Sequence, residues 1–111
     1  MDDKDVTPKG TPFNLSHHID YADGSVVSKI LLKKDTGNVT LFSFDTSQGL
    51  SEHTAPFDAA VQILDGKAEI TIGGTIHEVK EGEMLIMPAN IPHSLHAAER
   101  FKMVLVMIRG D

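Results

Sequence analysis

Between Gly49 and His96 the chain reads GLSEHTAPFDAAVQILDGKAEITIGGTIHEVKEGEMLIMPANIPHSLH, and apolar residues recur at every second position between glycine- and proline-bearing breaks. Side chains two apart share a face only when the backbone is extended, so this stretch is read as a series of strands. Ala68, Ile70 and Ile72 alternate with Glu69 and Thr71. Gly73-Gly74 then supplies the positive φ angles of a two-residue hairpin, and Thr75 to Lys80 returns. Asp65-Gly66 is a second hairpin dipeptide and predicts the end of a strand over Asp58 to Leu64. Glu81-Gly82 turns the chain again. Glu83 to Met87 is a short apolar strand stopped by Pro88, and Asn90 to Pro92 makes a corner before pairing restarts over His93 to Ala97.

The flanking segments keep the same period. Ser25 to Lys34 (SVVSKILLKK) is a predicted strand and Asp35 to Asn38 a turn. Val39 to Asp45 (VTLFSFD) puts Thr40, Phe42 and Phe44 on one side and Val39, Leu41 and Ser43 on the other. Thr46 to Gly49 is a predicted loop. Phe101 to Ile108 (FKMVLVMI) is apolar on both faces at its centre, the pattern of an interior strand. No segment sustains a 3.6-residue period, and only Leu15 to Tyr21 has room for a helical turn. Eight or more short strands with turns between them predict an all-β sandwich or barrel, and closure removes the edges that invite aggregation.

The 111 residues fit one domain. Met1 to Pro12 is polar, carries Pro8, Gly10 and Pro12, and is expected to form a flexible tail; residues 13–111 are expected to form the barrel domain. The adjacent His17 and His18 point to opposite sides of an extended chain and are read as surface or interface residues, as is His77 beside Glu78. Lys29, Lys33 and Lys102 alternate with apolar residues and are expected to face solvent. A net charge of -6 argues against nucleic acid and against an anionic membrane surface, both of which need a basic face. With no cysteine, disulfides, thiolate metal sites and cysteine nucleophiles are excluded. The longest apolar run, Met103 to Ile108, is far too short to span a bilayer. No secretory signal opens the chain, so a cytoplasmic protein is expected.

One motif carries more than a fold class. In GEMLIMPANIPH, Gly82 is followed after five residues by Pro88 and after four more by His93. This spacing resembles the second motif of the cupin superfamily, and about residues 25–109 resemble its small single-domain members. The family pattern has glycine where Asn90 stands, and asparagine tolerates the left-handed angles required there. Its closing asparagine would fall at Ala97. The family's first motif has two histidines one residue apart, then a glutamate, then a glycine. Gly66 takes the place of that glycine and His53 that of the first histidine, while Ala55 and Ala59 stand where the second histidine and the glutamate would be. The resemblance implies a jelly-roll β-barrel with His53 and His93 projecting into it near one end. Two of the four expected metal ligands are then alanines.

Two imidazoles can bind a divalent transition metal such as Zn, Ni, Fe, Mn or Cu, but a catalytic site usually adds a third protein ligand. By strand parity Asp58, Gln62 and His96 point away from the barrel, and Glu52 needs a bulge to turn inward. Ala55 and Ala59 instead enlarge the space beside His53 and His93, which predicts a pocket for a compact ligand. Met84, Met87, Met103 and Met107 either line that pocket or fill the core. No lysine or arginine is evidently placed inside, so a neutral or weakly polar ligand is expected. Three readings are compatible with the sequence. The first is a small-molecule-binding cupin with a degenerate metal site. The second is a metal-dependent oxygenase or isomerase whose two-histidine site is completed by water or substrate. The third is a structural or regulatory module. The resemblance also implies a homodimer.

Overall fold

The computed structural model describes residues 7–109, so Met1 to Val6 of the expected tail lie outside the described residues. Thr7 to Pro12 adopt no regular element. Eight strands follow: β1 (Val26–Lys34), β2 (Gly37–Phe44), β3 (Gly49–His53), β4 (Ala59–Ile72), β5 (Thr75–Lys80), β6 (Met84–Met87), β7 (His93–His96) and β8 (Phe101–Ile108). All pairings are antiparallel. One sheet runs β1-β2-β8-β4-β6 and the other β3-β7-β4-β5, so β4 belongs to both. The result is the all-β jelly-roll barrel that the alternation and the motifs predict.

The shared strand corrects one expectation. Asp65-Gly66 is not a hairpin turn; β4 continues through it for 14 residues. Gly66 has φ 73°, and the register against β8 shifts between Ile63 and Asp65. The extra residue of this bulge is Leu64, and the left-handed Gly66 lies two residues past it, back in register with Phe101; a bulge bends a strand and strengthens its twist. A true hairpin would fold Lys67 to Ile72 back onto Ala59 to Leu64. Instead the first half of β4 pairs with β8 and β6, and the second half crosses to pair with β5 and β7. A second difference is β3, where the sequence shows only one apolar residue, Leu50, and therefore no alternation to detect.

The inner faces enclose the main core, built around Phe44, Phe101, Val61, Ile63, Ile70 and Met103. Phe44 and Phe101, opposite each other in the β2–β8 ladder, stack with ring centroids 4.4 Å apart. A smaller core sits on the outer face of the first sheet, where Leu15 and Ile19 cover Leu41 and Val104. The segment carrying Leu15 and Ile19 contains one hydrogen-bonded turn, with the His18 N–H donating to the Leu15 carbonyl.

That covering segment corrects the reading of three polar residues. His18 is buried, with its ring tilted against that of Phe13. Lys29 and Lys102 are half-buried and donate to the carbonyls of His18 and Ser16, at 3.0 and 2.6 Å. Their charges lock the segment onto the sheet instead of facing solvent. The Tyr21 hydroxyl donates to Asp65 at 2.6 Å, and Arg100 bridges Asp45 and Asp23.

Candidate functional site

The bend in β4 decides what faces what. It carries Ala59 on the first sheet and Ile72 on the second, where Ile72 pairs with His93 and His93 pairs with His53. Forty residues apart in the chain, the two histidines become cross-strand neighbours. Their rings lie edge to face with centroids 4.3 Å apart, and their Nε2 atoms are 3.1 Å apart. His93 is buried, 5% exposed, whereas His53 sits at the open end. Asn90, at φ 65°, makes the turn before His93 as the motif requires. Its N–H donates to the Ala55 carbonyl at 2.7 Å, which ties the loop after β3 to the turn before β7.

Between the sheets, beside this pair, lies a cavity of about 240 Å³. Both histidines, Ala55 and Ala59 line it, so the four residues singled out from the sequence meet in one place. The rest of the wall includes Phe57, Met87, Met103 and Met107. Met84 is 57% exposed and takes no part. The sequence reading missed Phe57, although it continues the alternation of Ala55, Ala59 and Val61, because residues 54–58 form no strand. A wider groove of about 580 Å³ lies on the outer face among Ile86, Val106 and Ile108, with Asp58 as its one charged side chain.

The tautomers of the pair follow from its hydrogen bonds. A carbonyl oxygen only accepts, so the Nδ1–H of His53 donates to the Ser51 carbonyl (2.7 Å), and that of His93 to the Ile91 carbonyl (3.3 Å). With Nδ1 protonated on both rings, neutral imidazoles turn two bare Nε2 lone pairs toward each other. A proton, a metal ion or a hydrogen-bond donor relieves that arrangement. Burial holds the His93 pKa below its ordinary value, and the neighbouring His53 pushes in the same direction; the Ile91 carbonyl opposes both.

The residues present supply only part of the metal-ligand set that the fold implies. Two imidazole nitrogens 3.1 Å apart can both reach one cation with bonds of about 2.0–2.1 Å. Among the described residues no third His, Cys, Asp or Glu joins them. Glu52 and His96 are exposed, and the Asp58 carboxylate is held by the Ala89 N–H at 2.8 Å, as strand parity requires. The donor set is thus half of a four-ligand site.

Comparison with known proteins agrees with this architecture. A family model described as a cupin domain matches residues 40–109. A conserved protein of unknown function from Streptococcus pyogenes is 36% identical, with a TM-score of 0.89, 94% of this chain covered and 91% of that one. A cupin 2 conserved barrel domain protein from Leptotrichia buccalis is 40% identical with a TM-score of 0.84, over 87% of this chain and 47% of that one. A cupin superfamily protein from Desulfitobacterium hafniense is 28% identical with a TM-score of 0.87, covering 93% and 94% of the two chains. A search of the curated proteins finds no match. Among the described residues no helix is long and apolar enough to cross a membrane. From β2 to the end of β8 the family match spans the strands that build the cavity, and the chain belongs to the cupin family.

Proposed function

We propose that this cupin binds a small molecule inside its barrel, with an apolar body among the methionines and an O–H or N–H donor directed at the Nε2 atoms of His53 and His93. The observation that carries the reading is the pair of convergent lone pairs on the wall of an otherwise apolar cavity. An apolar cavity of 150 Å³ holds benzene, so about 240 Å³ accommodates a substituted ring or a short branched chain. Flexible thioethers let the wall adjust to the shape of the occupant. Ala55 and Ala59 leave the space open.

Phenol is a suitable probe and toluene its control, since they share size and differ in the donor. Titration of each is followed by the ring nitrogen signals of His53 and His93. Phenol is expected to bind more tightly than toluene and to shift both Nε2 signals, and His93→Leu is expected to abolish that preference. Equal binding of phenol and toluene, or unmoved nitrogen signals, refutes the reading.

A second reading is favoured by the same 3.1 Å separation: a divalent transition metal held by His53 and His93, with water or substrate in its remaining positions. Such an ion supplies Lewis acidity to a bound carbonyl or water. The chain's own part is to orient both rings through the Ser51 and Ile91 carbonyls and to exclude water with the apolar wall. A stoichiometric metal in purified protein that disappears in His53→Ala selects this reading over the first. A homodimer is compatible with either, and sedimentation reports it directly.

A further inference from the structure

Just past the end of β8 stands an exposed cation, Arg109. Phe101, Met103, Leu105 and Met107 alternate into the core between the sheets. Arg109 is next in that series, about 7 Å beyond Met107 along the strand direction. Its backbone is fixed, because its N–H donates to the Thr36 carbonyl at 2.6 Å. Its guanidinium lies over the Phe57 ring, 5.4 Å from the centroid, within the range of a cation–π contact. Phe57, like Ala59, lines both the inner cavity and the outer groove, so it stands between them.

Among the described residues no carboxylate lies within ion-pairing reach of Arg109, whereas Arg100 holds both Asp45 and Asp23. Asp58, the acidic residue adjacent to Phe57, has its carboxylate bound to the Ala89 N–H on the outer side. A guanidinium held near an aromatic ring by a cation–π contact keeps N–H donors that can grip a carboxylate with two parallel bonds.

We infer that the ligand of the barrel is a small carboxylate and that Arg109 is the residue that selects it. The apolar body occupies the cavity, the donor meets the histidine pair, and the carboxylate stays at the mouth against Arg109. This departs from the neutral ligand that the sequence predicts, and it rests on the reading of the cavity as a ligand site. Leaving the charge at the rim avoids the cost of burying an anion among methionines.

The test compares 4-hydroxyphenylacetate with 4-hydroxyphenylacetamide by calorimetry, with the histidine ring signals as the report of where each binds. The acid is expected to bind about fivefold more tightly, the upper end for a solvent-exposed ion pair, with the preference shrinking at high salt. Arg109→Gln is expected to remove the preference without weakening the amide, and Arg109→Lys to keep part of it. If both probes shift the histidines equally well in the unaltered protein, the carboxylate inference fails and the cavity reading stands. Persistence of the preference in Arg109→Gln also overturns the inference. If neither probe moves the histidine signals, both readings fall together.

Discussion

The bend at Gly66 carries the strand that joins the two sheets, and its replacement gives a quantitative test. Gly66 and Gly74 both have positive φ, 73° and 86°. An alanine in that region costs about 1–2 kcal/mol of backbone strain at either position. Their surroundings differ. A Cβ on Gly74 meets nothing within 4 Å, whereas one on Gly66 runs into the Arg100 carbonyl oxygen, a backbone atom that cannot swing away. Relieving that contact means moving β4 from β8 at the Gly66–Phe101 pair and loosening the bond from the Glu81 N–H to the Gly66 carbonyl. Each weakened hydrogen bond adds about 1 kcal/mol. Gly74→Ala is therefore expected to lose about 1–2 kcal/mol and Gly66→Ala about 3–4 kcal/mol, out of a total near 5–15 kcal/mol for a typical domain. Urea unfolding of the two variants against the parent measures both losses, provided the slope with denaturant is unchanged. Gly66→Ala should also disturb the His53 and His93 ring signals, because the bend sets the sheet that bears them. Equal losses for the two variants would refute the argument, since only strain would then be acting.

Three further outcomes are expected. Because the His93 pKa is depressed below 6.5, its contribution to stability is complete above about pH 6.5 and is lost as pH falls through the lowered value. Unfolding free energies between pH 5 and 8 should fall on the acid side by at most about 1.4 kcal/mol per pH unit for this group, and His93→Gln should flatten the profile. Met103→Ala is expected to cost about 2–5 kcal/mol and to weaken phenol selectivity, whereas Met84→Ala should stay within about 0.5 kcal/mol, because one side chain is buried against the cavity and the other lies in solvent. Ala59→Glu combined with Ala55→His rebuilds the four-ligand pattern. The variant without metal should lose stability from the buried carboxylate, and Zn at 100 times its dissociation constant should restore about 2.7 kcal/mol, seen as a metal-dependent melting temperature.

The sequence alone determined what local sterics and burial control. Alternation placed β1, β2, β5, β6, β7 and β8 within a residue or two of their observed limits, and Gly73-Gly74 made its hairpin. The spacing from Gly82 through Pro88 to His93, with Gly66 and His53 before it, identified the fold and nominated four cavity residues, because turns and their flanking residues are fixed by nearby backbone angles. Tertiary structure decided the rest. Asp65-Gly66 has the same composition as a hairpin turn, and only partners on β8 and β5 keep it within a continuous strand. β3 owes its extended form to β7, not to its own pattern. His18, Lys29 and Lys102 look polar and exposed one residue at a time, yet the chain before β1 folds back over them. The facing Nε2 atoms and the placement of Arg109 on Phe57 depend on how far the two sheets curl toward each other, and no local preference of the chain encodes that distance.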